Sequence, residues 1–277
     1  MARASILPAE YDDGPGSMND SEKTRRHGLY SRGSATTQRL IFRLRRPVGP
    51  AAPPVWSSQM SALFAVAVLL TIAAGVFDPL VQPFALQSQN AFLRFLGNVT
   101  DAAQSGWYIV PAIVIIAIIG LMDWTAIQRG SRRTLMLAYG RAAYILAAIV
   151  IPGIVTNIIK QFVGRARPRA MDEAGVYGFS PFEFDSLFQG FPSGHATTAG
   201  SLAVILMLWH PRHWWLSLIV MGVLAFARVP AGAHYPSDVV AGFSVGAIGA
   251  LLIARWLARR RAVFVFRKSG LLPLMIG

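Results

Sequence analysis

An all-α, polytopic membrane bundle of six transmembrane helices is the fold class this sequence predicts, and three observations carry that expectation. Hydrophobic residues make up 54% of the chain, with a mean hydropathy of +0.46, which belongs to the membrane class more than to a soluble domain. Charged residues are only 14%, and they collect between apolar runs instead of speckling them as they would on soluble amphipathic helices. Six apolar stretches recur along the chain, set against the ~20 residues that cross a bilayer, the fourth and fifth falling short of it.

In order, residues 1–59 are rich in Gly, Ser, Pro and Arg and have too few large apolar side chains to bury a core, so they read as a disordered basic cytoplasmic tail. Its end, Arg39 to Arg46 around Leu40, Ile41, Phe42 and Leu44, suits either a short amphipathic segment on an anionic leaflet or a solvated basic tail. The first long apolar run begins near Ser61, so no cleaved signal peptide is expected. Residues 60–258 form the membrane domain, with helices expected at roughly 60–78, 107–123, 135–159, 195–209, 214–227 and 239–256. The fourth and fifth are short, and only His210, Pro211, Arg212 and His213 separate them, which predicts a tight helix hairpin. Between the first two, Ala85 to Gln104 places Phe92, Leu93, Phe95, Leu96 and Val99 opposite Arg94, Asn98 and Asp101 at helical spacing, suggesting an interfacial helix. Residues 259–277 read as a short basic cytoplasmic tail.

Basic residues resist translocation, so their distribution orients the bundle. With the N-terminus inside, nineteen Lys and Arg residues fall on the cytoplasmic side and six (Arg94, Lys160, Arg165, Arg167, Arg169 and Arg228) on the other, with Arg141 inside a helix. Both termini are therefore expected in the cytoplasm. The net charge of +13 is what retained cytoplasmic arginines produce, and nucleic acid is not an expected partner. Cysteine is absent, which excludes disulfides, thiolate metal sites and a cysteine nucleophile.

Five of the six outside cations crowd into two places, and the chemistry is expected there. Lys160, Arg167 and Arg228 bring positive charge to the membrane surface with few acids nearby, an arrangement that calls for an anion. Arginine's planar fork matches phosphate oxygens, and lysine adds a compact charge. Ser193 and Gly194 precede the fourth helix, where backbone N–H groups, a hydroxyl and the positive helix end suit a phosphate. His234 and Asp238 lie four apart at the start of the sixth helix, so the carboxylate is expected to accept from one imidazole nitrogen and leave the other as an oriented nucleophile. His195 is a second histidine, suited to protonating a departing oxygen. Singly, each has a plain structural reading: a cation at a helix end is usually a snorkelling anchor, and Ser-Gly before a helix is usually an N-cap.

Together the spacings resemble the type 2 phosphatidic acid phosphatase family: Lys160, six residues, Arg167-Pro168; then Pro192-Ser193-Gly194-His195; then Arg228, five residues, His234, three residues, Asp238. Ten of eleven defined positions match, an ordered coincidence on the order of one in a million. The departure is Ala227, where the family has serine, which removes a hydroxyl beside Arg228. The resemblance implies a metal-independent lipid phosphate phosphatase without cofactor. In it His234 forms a phosphohistidine, Asp238 orients that ring, His195 protonates the leaving group, and Lys160, Arg167, Ser193, Gly194 and Arg228 hold the phosphate. It implies an inner (plasma) membrane location with the site facing the periplasm or exterior. Candidate substrates are undecaprenyl pyrophosphate, lipid A, phosphatidylglycerol phosphate and phosphatidic acid. Lipid-to-lipid phosphotransfer, or a non-catalytic anion-binding protein or transporter, are the alternatives, and the oligomeric state is open.

Other residues carry packing readings. Trp214 and Trp215, like Trp107 and Tyr108 opposite, suit an interfacial belt. Gly140, Gly153, Gly222, Gly242, Gly246 and Gly249 suit close helix packing. Tyr177, Phe179, Phe182, Phe184, Leu187 and Phe188 either dip into the interface as a lid or pack on the helices; the sequence leaves both open.

Overall fold

The computed structural model describes chiefly residues 52–87, 103–124, 127–266 and 270–276. Most of the N-terminal tail, the segment Arg39 to Arg46 apart from isolated positions, and most of the interfacial helix read over Ala85 to Gln104 lie outside the described residues. The described chain is a helical bundle: α1 (Ser58–Gln87), α2 (Gly106–Leu121), α3 (Arg129–Val163), a short α4 (Met171–Ala174), α5 (Gly194–Trp209), α6 (Trp214–Phe226) and α7 (Pro236–Arg259). Among the described residues three helices are long and apolar enough to cross a membrane, spanning Ser58–Pro83, Gly130–Val163 and Pro236–Arg259, and α2 and α5 are shorter apolar helices. A one-turn 3-10 helix, Pro211–His213, closes the expected hairpin between α5 and α6.

The six apolar stretches each became a helix, but two ran further than expected. The first continues past residue 78 to Gln87 through Pro79 and Pro83. A helical proline lacks the N–H that would serve the carbonyl four residues back. At Pro79 that carbonyl belongs to Gly75, and the Tyr177 hydroxyl donates to it at 2.9 Å, so the helix persists. The extension matters because it buries Asp78 and Gln82 completely. The third helix runs to Val163, which puts Lys160 in its last turn, and Gly164, at φ +57°, ends it by donating to the Lys160 carbonyl at 2.9 Å.

α5 is the central helix, buried nearly all round from Ala196 to Leu208, and α7 packs against it, α1 and α3. The outer helices instead show apolar side chains outward, as with Leu69, Ile72 and Leu80 on α1 and Val110 and Ile118 on α2. That inversion is what a lipid solvent permits. Close approach of α5 and α7 depends on small residues: a methyl at Gly200 would overlap the Phe243 carbonyl, and one at Gly246 the Thr197 carbonyl. Gly242 meets the Ser193 backbone in the same way, whereas a methyl at Gly153 or Gly222 would meet none of the described residues within 4 Å. The packing reading therefore holds for the first and fails for the last two. A bond from Ser201 to the Gly246 carbonyl (3.3 Å) adds to this seam, and one from Thr156 to Thr197 (2.8 Å) ties α3 to α5.

Part of the segment read as a C-terminal tail is folded. Phe264–Val265 and Leu274–Met275 pair antiparallel, and Phe264 is fully buried against Tyr144 with ring centroids 4.8 Å apart.

Candidate active site

The site is assembled where the α3–α5 connection meets the N-terminus of α7. After Gly164 the chain turns back on itself, with the Gly190 N–H donating to the Arg165 carbonyl at 2.8 Å and the Arg167 N–H to the Leu187 carbonyl at 2.7 Å. This brings the backbone of residues 189 and 190 against the cations. Lys160 Nζ donates to the Gln189 carbonyl at 3.0 Å, and Arg167 reaches the same oxygen at 3.5 Å. The charges of Arg167, Asp238 and Arg228 all act at Lys160. Three of the expected phosphate ligands thus share one locality, with Arg228 in the turn after α6 that closes through the Ala233 N–H to the Arg228 carbonyl at 3.2 Å.

His234 is buried, and its Nδ1 lies 2.8 Å from the Gly190 carbonyl. A carbonyl oxygen only accepts, so Nδ1 carries the hydrogen and Nε2 carries the lone pair. Burial pushes the imidazole down to about 4; Asp238 opposes this, and the Lys160 and Arg167 cations add to it. At neutral pH the ring is uncharged and nucleophilic.

The expected hydrogen bond from His234 to Asp238 is not formed, because Asp238 Oδ2 is 3.7 Å from Nδ1, beyond hydrogen-bond reach. The carboxylate is engaged elsewhere: Oδ2 accepts the Tyr235 N–H at 2.9 Å, and Oδ1 accepts from Arg165 at 2.7 Å. Asp238 therefore acts on the ring through its charge, and the Gly190 carbonyl sets the tautomer.

Arg165 is the residue the sequence reading passed over. It is buried, with one terminal nitrogen on Ser237 Oγ (2.6 Å) and Asp238 and the other on Asp78 (2.9 Å) and the Val176 carbonyl (3.1 Å). The Tyr235 ring stacks 4.4 Å from its guanidinium carbon. Burial alone would weaken the charged form, but Asp238 and Asp78 outweigh it and push the Arg165 pKa up. Arg167 is pushed down by burial and by neighbouring Arg169, which the Asp238 charge only partly offsets.

Ser193 is fully buried and its N–H donates to the Asp238 carbonyl at 3.0 Å, so that N–H is not aimed at an anion; its hydroxyl accepts the Ala196 N–H at 3.4 Å as a helix cap. Gly194 and His195 line a cleft of about 540 Å³ between α2, α3 and α5, together with Gln104, Asn157 and Thr198. Ala227, at the departure from the family pattern, is fully buried. In the loop above, Tyr177, Phe179, Phe182 and Phe184 are all more than half exposed, which favours an interfacial loop over one packed on the helices.

A model of the PAP2 superfamily matches residues 141–262, a stretch that contains every one of these cations and both histidines. A lipid A 1-phosphatase of Rhizobium johnstonii is 31% identical over 229 residues, covering 81% of this chain and 91% of that protein. The chain belongs to the PAP2 superfamily. A lipid A 1-phosphatase of Rhizobium etli is also 31% identical, over 68% of this chain and 82% of that one. A PAP2-type phosphatidylglycerolphosphate phosphatase structure from Bacillus subtilis is 21% identical, with a TM-score of 0.47 over 71% of this chain and 94% of that one. This chain is thus a PAP2-type membrane lipid phosphatase, of a metal-independent phosphomonoesterase family. The matched PAP2 stretch begins after α1 and so leaves out Asp78, although the fold seats that carboxylate on Arg165.

Proposed function

We propose that this PAP2 phosphatase removes phosphate from a lipid at the outer face of the membrane through a phosphohistidine on His234, with lipid A 1-phosphate as the best candidate substrate. The observation that carries the mechanism is the bond from His234 Nδ1 to the Gly190 carbonyl, which leaves Nε2 as a neutral nucleophile beside three cations. Lys160, Arg167 and Arg228 would exchange their resting partners for phosphate oxygens and offset the charge on five-coordinate phosphorus. Ser193 contributes its hydroxyl hydrogen, Gly194 permits close approach, and His195 protonates the lipid oxygen as it leaves. Two relatives named lipid A 1-phosphatase that align over 82% and 91% of their length support that substrate over undecaprenyl pyrophosphate, phosphatidylglycerol phosphate and phosphatidic acid.

Six membrane crossings, with both termini cytoplasmic, follow from the charge asymmetry. The 13 residues of α6 rise about 20 Å at ~1.5 Å each, so that crossing needs its flanking residues or local thinning. A reporter fused near Asp185 should read as exterior; a cytoplasmic signal would overturn the orientation.

The deciding experiment is a phosphate-release assay of purified protein against the four lipids, with His234→Ala as control. Lipid A 1-phosphate should be the fastest substrate and the variant inactive, and retained activity in the variant would sink the mechanism. Mass analysis of the lipid products separates hydrolysis from transfer to a second lipid.

A further inference from the structure

Asp78 and Arg165 have no place in the reaction as described, yet they form the most heavily bonded polar cluster near the nucleophile. Arg165 bridges two carboxylates, Asp78 on α1 and Asp238 on α7, at 2.9 and 2.7 Å. Ser237 lies between them: its N–H donates to Asp78 at 3.0 Å and its hydroxyl to Asp78 at 2.5 Å. All four side chains are buried. A carboxylate in an apolar spanning helix is costly, and it persists where it has work to do. A single ion pair would have needed only Asp238 and Arg165; the second carboxylate leaves the cluster with one net negative charge.

We propose that Asp78 and Arg165 are positioning residues for dephosphorylation, a buried carboxylate–guanidinium–carboxylate cluster that holds Asp238 beside His234 and keeps one net negative charge behind the ring. The proposal rests on His234 being the nucleophile. When Nε2 attacks, the Nε2–P bond forms and the bond from phosphorus to the lipid oxygen breaks. That oxygen leaves with the bonding pair and takes a proton from the acid. The imidazole keeps its Nδ1 hydrogen and becomes cationic, until water, giving a proton back to His195, adds to phosphorus and the N–P bonding pair returns to Nε2. Before attack the ring is neutral and faces Lys160 and Arg167 as well as Asp238, an environment that opposes positive charge on it. A carboxylate 3.7 Å from Nδ1, whose own charge Arg165 would cancel without Asp78, favours the cationic intermediate over the resting ring.

Asp78→Asn keeps the shape and removes the extra charge. We expect kcat per folded molecule to fall roughly tenfold or more, the effect of about one pK unit of lost charge stabilisation. KM should change little, because the phosphate is held by Lys160, Arg167 and Arg228. The acid limb of kcat/KM should move to lower pH, since the imidazolium loses a negative neighbour. A merely structural role would reduce the yield of folded enzyme and leave that limb in place.

Arg165→Gln leaves two buried negative charges, and the double variant Asp78→Asn/Arg165→Gln returns the cluster to one. Recovery of part of the activity lost in Arg165→Gln supports the charge role, and it reads the proposal even if Asp78→Asn alone does not accumulate. Unchanged kcat and pH limb in Asp78→Asn, or no recovery in the folded double variant, overturns it. If His234→Ala is inactive and forms no acid-labile phosphoenzyme while Asp78→Asn is silent, only this proposal fails. Activity retained in His234→Ala removes the reading beneath it.

Discussion

Two buried arginines stand near opposite ends of α7 and are held in opposite ways. Arg165, near its N-terminus, is bound by two carboxylates, a hydroxyl and one carbonyl. Arg255, in the last turns, donates among the described residues only to backbone, the carbonyls of Pro54 (2.8 Å), Val55 (2.7 Å), Gly270 (3.4 Å) and Leu271 (2.7 Å), with the Phe266 ring 5.2 Å from its guanidinium carbon. Carbonyl dipoles satisfy a guanidinium's donors without cancelling its charge, and a cation is favoured near a helix C-terminus in any case. Arg255 therefore works as a clasp, tying the segment before α1 and the C-terminal hairpin to the same helix. Under the mechanism proposed above, Arg165 adjusts charge beside the nucleophile. The same side chain is a mechanical part at one end and an electrostatic part at the other, and the difference lies in whether its partners carry charge.

The largest break in this comparison should come from Arg165→Leu. Removing the guanidinium strands two buried carboxylates, a loss of about 3–5 kcal/mol, and phosphate release should vanish; unfolding in detergent and an activity assay read both. A folded variant with ordinary turnover would mean that the site end is only a clasp as well.

Next in size is a pH effect confined to the site end. The folded imidazole of His234 titrates near about 4, against about 6.5 when unfolded. As pH falls through 6.5 the unfolded chain takes up the proton first, so stability declines from there to about 4, by roughly 3 kcal/mol at ~1.4 kcal/mol per unit, and is unaffected above 6.5. His234→Gln should flatten this slope and Arg255→Leu should not. Correspondingly, the acid limb of kcat/KM should lie well below 6.5 once the ionisation of the substrate phosphate near ~6 is allowed for.

Arg255→Leu itself should cost less, about 1–3 kcal/mol for the hydrogen bonds lost at part-buried carbonyls. Turnover per folded molecule should be unchanged, and a folded but inactive variant would erase the distinction between the two ends.

The same contrast explains what could be read in advance. Apolar runs are properties of contiguous sequence, so the six apolar helices, long and short, were legible. Lys160, Arg167, His234 and Asp238 were singled out because their spacing within residues 160–238 is itself a signal. Asp78 lies more than eighty residues away from that signal, and only its being a carboxylate at the end of an apolar run hinted at a partner. Arg165 was visible as one of six exterior cations, but nothing local said that it, and not His234, would take Asp238. Gln189 and Gly190 act through their carbonyls, which every residue has, so no side-chain pattern could announce them. The C-terminal hairpin was missed for a related reason, since Arg255 organises it through backbone atoms.

The smallest test concerns how α1 brings Asp78 to Arg165 at all. Pro79 takes the intrahelical donor away from the Gly75 carbonyl, and the Tyr177 hydroxyl replaces it at 2.9 Å. The neighbouring Val176 carbonyl holds Arg165 at 3.1 Å, so one short stretch of loop both completes the helix and steadies the guanidinium. Tyr177 is itself 57% exposed, so water can partly replace its hydroxyl, and Tyr177→Phe should cost only about 0.5–1 kcal/mol with turnover nearly intact. In a Pro79→Ala background the backbone N–H of residue 79 reaches the Gly75 carbonyl, and the same substitution should then cost nothing measurable. A double-mutant cycle reads that coupling directly. An equal penalty in both backgrounds would mean that the Tyr177 hydroxyl contributes independently of the proline, and that α1 carries Pro79 without help from the loop.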